Sequence, residues 1–176
     1  MNKQELLLNA MKIAHGTQLR KYTNEPYWYH LIEVAEIIRP HNIFLGVEIA
    51  YCHDVLEDTP TTYLQLIHII TNCGYELWEA LYITSGVIQL TDVYTTESYP
   101  DMNRQQRKAL EAIRLSNTTP VAQSVKYGDL ISNTTSITQY DPTFAITYKQ
   151  EKIAILDVCK LGEPTLYERA LTLATT

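Results

Sequence analysis

The sequence predicts an all-α fold. Three observations predict it. Apolar residues recur at i, i+3, i+4 and i+7 through most of the 176 residues. Pro, Gly, Asn and Thr punctuate the chain at helix-bounding positions. No internal repeat, low-complexity tract or linker interrupts that pattern. With 45% apolar and 19% charged residues the chain reads as globular, and its length suits one domain, residues 1–176, with a full-sized core.

The elements follow in order. Leu6, Leu7, Ala10, Met11, Ile13 and Ala14 place a stripe on a first helix over 3–18. Residues 19–26 are a polar loop ending in a helix-starting proline. A second helix spans 27–39 and Pro40 ends it; a third spans 44–58. Thr59 to Thr62 is a turn in which Thr61 or Thr62 caps a helix over 63–72, closed by Asn72-Cys73-Gly74. Another helix covers 75–85. Residues 86–103 break the helical pattern with Thr, Ser and β-branched residues and read as a long loop, a length usual for functional segments. Helices follow over 104–116, from Asn117-Thr118-Thr119-Pro120 to 138, from Asp141-Pro142 to 160, and over 164–173.

Net charge is −6, which argues against binding duplex nucleic acid, a task that wants a basic face. A small phosphorylated ligand remains compatible, since a few Arg and Lys would serve it. Cys52, Cys73 and Cys159 form no CxxC pair and read as buried reduced thiols. The N-terminal residues carry no basic stretch followed by an apolar core, and the apolar runs are too short to span a membrane. No membrane association and a cytoplasmic location are therefore expected. Most of the thirteen tyrosines are expected in the core or an interface, a few against a base.

The richest chemistry lies in Cys52-His53-Asp54-Val55-Leu56-Glu57-Asp58-Thr59. One imidazole and three carboxylates sit in an otherwise apolar run, and carboxylates on a buried helix need a cation to compensate them. His53 and Asp54 are adjacent, a short-range ligand pair. Glu57 and Asp58 return to the same face one turn later, near the end imposed by Pro60. His30 and Asp129 lie on other helices. Taken singly, each also fits a hydrogen-bonded core residue or a paired carboxylate.

The order His … His-Asp … Asp resembles the HD phosphohydrolase superfamily, whose four side chains bind one divalent metal on a helical bundle. The match narrows to the RelA/SpoT hydrolase branch. Ala14-His15-Gly16-Thr17-Gln18-Leu19-Arg20-Lys21, then Pro26-Tyr27 and His30, is similar to that branch's "AHxxQxRK…GxPYxxH" opening. His53 to Thr59 is similar to "HDxxEDT", Cys73-Gly74 stands in place of "FG", and Val125 to Asn133 is similar to "VKLADRLHN". The resemblance spans residues 5–160, and the size fits the small stand-alone (p)ppGpp hydrolases of the branch.

The resemblance implies that His30, His53, Asp54 and Asp129 hold Mn²⁺, which would acidify a water molecule. It implies that Glu57 and Asp58 orient or deprotonate that water. Arg20, Lys21, Lys126, Asn133 and Tyr148 match positions beside the nucleotide; Arg offers a planar fork and Lys a point charge. Arg104, Arg107 and Lys108 read either as phosphate ligands or as a charged surface helix. The chain departs from the pattern at Asn24 (usually Gly), Leu31 (usually Pro), Tyr127-Gly128 (usually Leu-Ala) and Ser132, and keeps every metal position. The expected reaction is removal of the 3′-pyrophosphate of ppGpp or pppGpp. Two other readings fit the same motifs. One is an HD hydrolase of another nucleotide, whether a 3′-phosphate, a cyclic nucleotide or a dinucleotide. The other is a non-catalytic nucleotide-binding protein on the same scaffold. A homo-oligomer is compatible with either.

Overall fold

The computed structural model describes residues 2–176 and is all-α, with no strand among those residues. The helices are α1 (Lys3–His15), α2 (Trp28–Ile38), α3 (Gly46–Cys52), α4 (Val55–Asp58), α5 (Tyr63–Asn72), α6 (Leu77–Leu90), α7 (Arg104–Ser116), α8 (Pro120–Tyr140), α9 (Pro142–Val158) and α10 (Pro164–Thr175). They divide into two compact units, the first reaching Thr91 and the second running Asp92–Thr176.

In the first unit, α1 starts at a reciprocal cap. Asn2 Oδ1 accepts from the Glu5 amide at 2.9 Å, and Glu5 returns a carboxylate to the Asn2 amide at 3.0 Å. Its buried stripe is Leu7, Met11 and His15. The helix stops at His15 rather than residue 18, because Gly16 takes a φ of +52°. The loop that follows folds back on itself. Tyr27 N donates to Gln18 O at 2.9 Å and Arg20 N to Glu25 O at 2.8 Å, with Asn24 at φ +55° at the tip. Asn tolerates that left-handed conformation. Helix α2 buries His30, Leu31, Val34, Ala35 and Ile38, and a single 3₁₀ turn, Arg39–His41, absorbs Pro40 at its end. Every residue of α3 is buried, and its sequence is apolar except for Glu48, whose carboxylate accepts from Gln4 Nε2 at 2.9 Å and the Tyr75 hydroxyl at 3.1 Å. Thr62 is the cap of α5, reciprocated by Gln65.

Two further expected boundaries fail here for physical reasons. The helix expected over 44–58 is two helices. His53 turns its Nδ1 onto Ala50 O at 2.8 Å, and the chain re-enters helix only at Val55. Helix α6, expected to stop at 85, continues through Gly86-Val87-Ile88-Gln89-Leu90. Packing overrides the weak propensity of that stretch: Gly86, Val87 and Leu90 are buried, and a Cβ on Gly86 would stand 2.6 Å from Ile49 Cδ1.

The second unit opens with the remaining loop. It is tied down, since the buried Glu111 carboxylate accepts from the Val93 and Tyr94 amides at 3.2 and 3.1 Å. Asn103, Thr119, Asp141 and Glu163 cap α7 to α10, and proline follows the cap in the last three. Helix α8 carries a long buried face, from Ala122 to Ile137. Its Tyr127 hydroxyl donates to Cys159 O at 2.8 Å, Ser124 Oγ accepts from Glu163 N at 2.8 Å, and Gln123 Oε1 from Leu161 N at 2.8 Å. These bonds fasten the turn between α9 and α10 onto α8. All three cysteines are buried and free, as expected, and burial pushes the Cys52 thiol far up. Among the described residues no helix is long and apolar enough to cross a membrane.

Candidate functional site

His30, on the first turn of α2, and the His53-Asp54 pair at the α3–α4 break converge. One ligand atom from each lies within 4.8 Å of the others, the only such grouping of three metal-ligating side chains among the described residues. His53 Nε2 stands 3.0 Å and His30 Nε2 3.6 Å from Asp54 Oδ2, and the two imidazoles are 5.2 Å apart. Both histidines are buried, whereas Asp54 is partly open.

The orientation of His53 is set by its backbone. Donation from Nδ1 to Ala50 O fixes the ring orientation and leaves Nε2 facing Asp54 Oδ2; in the neutral imidazole that nitrogen carries the lone pair. Two electron-rich atoms at 3.0 Å need a positive charge between or upon them. The donor set, two imidazoles and a carboxylate, fits a divalent transition-metal ion.

Supporting residues ring this cluster. Tyr27 donates its hydroxyl to Asp54 Oδ2 at 2.6 Å. Its ring stacks on His15 at 5.1 Å and meets His30 edge-on at 5.7 Å. His15 Nδ1 pairs with Gln18 Oε1 at 2.8 Å, and Gln18 Nε2 donates to Asp58 Oδ2 at 3.0 Å. Glu57 and Asp58 are exposed on α4, their amides bonded to Asp54 O at 3.1 and 2.9 Å. One turn therefore carries both a member of the cluster and the two further carboxylates. Arg20 pairs with Glu33 at 2.7 Å with its side chain largely covered, while Lys21 is exposed over the Tyr22 ring. An open groove of about 540 Å³ lined by Ala10, Ile13, Pro60, Gln65, His68 and Asn72 contains none of these residues.

The other expected residues lie in the second unit. Asp129 is buried on α8, its carboxylate held by Lys126 Nζ at 2.9 Å and Asn133 Nδ2 at 2.5 Å. Burial disfavours the Lys126 ammonium, but Asp129 and Asp92 outweigh it and hold its pKa well above the usual lysine value. Tyr148 is buried on α9. Burial, reinforced by Asp129, drives its phenol upward, so it stays protonated. Asp92 is lowered despite burial, because Lys126 and Lys108 surround it. Of the three cations left open on α7, Arg104 forks onto Glu151 at 2.6 and 2.9 Å, Lys108 pairs with Asp92 at 2.8 Å, and Arg107 holds Met102 O.

No family model and no curated protein matches this chain. Among solved structures the chain is similar to a metazoan ortholog of SpoT that hydrolyses ppGpp and plays a role in starvation responses, with a TM-score of 0.78 at 20% identity. The match covers 98% of this chain and 94% of that one. The two share a fold.

Sequence reasoning missed Tyr27, Gln18 and His15 as supports, and Lys152 and Asp92 as members of the charged cluster. The first three were legible in principle. Tyr27 stands three before His30, and Gln18 three after His15, the spacing of side chains that meet on one turn. Nothing local marks Lys152 or Asp92.

Proposed function

We propose that this chain is a metal-dependent nucleotide phosphohydrolase that removes the 3′-pyrophosphate of ppGpp or pppGpp, as a single HD domain acting in the cytoplasm in a stringent-response role. The observation that carries the reading is the convergence of His30, His53 and Asp54, with His53 Nε2 facing a carboxylate oxygen. The shared fold with a ppGpp hydrolase supports it. In this reading His30, His53 and Asp54 hold Mn²⁺, and Asp129 is the fourth ligand on its match to the family motif.

A divalent ion bound there supplies Lewis acidity toward a phosphoryl oxygen and a lowered pKa for water. The side chains do the rest. Tyr27 and the Ala50 carbonyl hold Asp54 and His53 in their orientations. Glu57 and Asp58 accept the proton of the attacking water, and Gln18 fixes Asp58 for that task through Oδ2. The water oxygen attacks the phosphorus bonded to O3′, the P–O3′ bond breaks, and O3′ leaves with the proton that the carboxylate took from the water. GDP or GTP and pyrophosphate result. Arg20, Lys21, Lys126, Asn133 and Tyr148 bind the nucleotide.

Anion-exchange chromatography of ppGpp incubated with the protein and Mn²⁺ tests this. Release of GDP and pyrophosphate, abolished by EDTA and restored by Mn²⁺, is expected. Intact ppGpp beside tightly bound Mn²⁺ would overturn the substrate and call for 3′-phosphates, cyclic nucleotides and dinucleotides in its place.

A further inference from the structure

The charged cluster of the second unit contains one cation of a different kind. Lys126 has Asp129 at 2.9 Å, Lys108 has Asp92 at 2.8 Å, and Arg104 has Glu151 at 2.6 Å. Lys152, on the same face of α9 as Tyr148 four residues earlier, is 8% exposed. Among the described residues its ammonium makes no hydrogen bond and no ion pair; it lies over the Tyr148 ring, 4.4 Å from the centroid. An ammonium taken out of water without a counterion is strongly disfavoured. A single aromatic face offsets only a small part of that.

The surroundings sharpen the point. Burial, together with the Lys126 and Lys108 charges, pulls the Lys152 pKa down to about 8, with Asp129 and Glu151 opposing too weakly to restore it. With Arg104 and Glu151 neutralising each other, three ammonium groups face two carboxylates. The cluster is short of negative charge, and the shortage falls on Lys152.

We propose that Lys152 is the principal cation of a phosphoryl-binding subsite in the second unit, flanked by Lys126 and the Tyr148 hydroxyl. A phosphoryl group suits the deficit better than a carboxylate. It carries up to two charges and several acceptor oxygens, so it can engage Lys152 and still take hydrogen bonds from neighbours. The donors available are two point-charge ammoniums and one phenol that stays protonated, and none imposes the planar fork geometry of a guanidinium. That the phosphoryl group belongs to a nucleotide rests on the function proposed above; the anion subsite itself does not.

The test is a calorimetric titration of the full chain with inorganic pyrophosphate in EDTA, for the wild type, Lys152→Met and Lys152→Arg. Metal-free binding that weakens roughly tenfold or more in K152M and stays within about threefold in K152R is expected. Unliganded K152M is expected to melt no lower than the wild type, since it removes an uncompensated charge while keeping the chain volume. The KM for ppGpp in Mn²⁺ is expected to rise in parallel with the loss of pyrophosphate affinity. Equal pyrophosphate affinity in the wild type and K152M overturns the subsite, whether or not ppGpp is hydrolysed. A tenfold loss upholds it even where ppGpp is not turned over, and that combination would remove the nucleotide reading alone.

Discussion

Tyr27 donates its hydroxyl to Asp54 Oδ2 at 2.6 Å, the same oxygen that His53 Nε2 faces at 3.0 Å. A phenol at the N-cap of α2 thus fixes which lone pairs of the Asp54 carboxylate point into the cluster. Tyr27→Phe keeps the ring contacts with His15 and His30 and deletes the hydroxyl that holds Asp54. Mn²⁺ affinity, followed by metal titration, is expected to fall by roughly tenfold, the usual effect of losing an orienting partner. An unchanged affinity would make the bond incidental.

Asp54 and Glu57 are three residues apart, and the proposed function gives them separate duties. Asp54→Ala is expected to lose both bound metal and turnover. Glu57→Ala is expected to lose turnover only, with stability within ~0.5 kcal/mol because the side chain is exposed. Metal analysis of the two purified variants decides it, and equal retention would sink the division.

Arg20 is pre-placed by Glu33 at 2.7 Å with little of its side chain exposed. Arg20→Ala is expected to raise the KM for ppGpp far more than it lowers kcat, the signature of a binding contact. A loss confined to kcat would move Arg20 into the chemistry.

Lys152 makes stability depend on pH in a direction that can be worked out. Its pKa is about 8 in the folded chain against 10.5 for an unperturbed lysine. Between those values the unfolded chain binds more protons, so the Lys152 contribution to stability rises with pH and levels off above 10.5. Below about 8 its full penalty applies. The difference between the wild type and K152M, measured by denaturant titration at each pH, isolates this group. The wild type is expected to gain on the order of 2–3 kcal/mol on the variant across that window. A flat difference would show that Lys152 titrates normally.

Gly162 lies against α8. A Cβ there would meet the Tyr127 ring and stand 2.8 Å from the Ser124 backbone nitrogen, which cannot retreat from within a helix. Gly162→Ala is expected to destabilise by about 1–3 kcal/mol, the usual range for overpacking. Denaturant titration of G162A reads the loss directly, and a stability equal to that of the wild type would mean that the turn between α9 and α10 yields.

Much of the fold was legible because its helices announce their own ends. Asn2-Glu5, Thr62-Gln65, Thr119-Pro120 and Asp141-Pro142 are local signals, and the structure uses each. The failures are tertiary. Gly86-Val87-Ile88 disfavours helix, and the burial of Gly86, Val87 and Leu90, with Gly86 fitted against Ile49, explains why α6 runs on. The break at His53 follows from one side chain capturing Ala50 O, which an apolar run does not advertise. At the site, the grouping of His30, His53 and Asp54 was expected from the resemblance of their order to a known motif, whereas Lys152 entered only through neighbours on other helices.

The break between α3 and α4 divides the anchorage of the motif. Helix α3 is buried along its whole length, while α4 is a single turn of four residues with Glu57 and Asp58 exposed. A lone turn has almost no helical stability of its own. It is held by the buried Val55, by Thr59 Oγ1 on Val55 O at 2.6 Å, and by Gln18 on Asp58. On warming, this turn frays before the core around α3 loosens. For a hydrolase of the kind proposed, turnover would then peak well below the melting temperature, and the loss beyond the peak would reverse on cooling with the ion still bound.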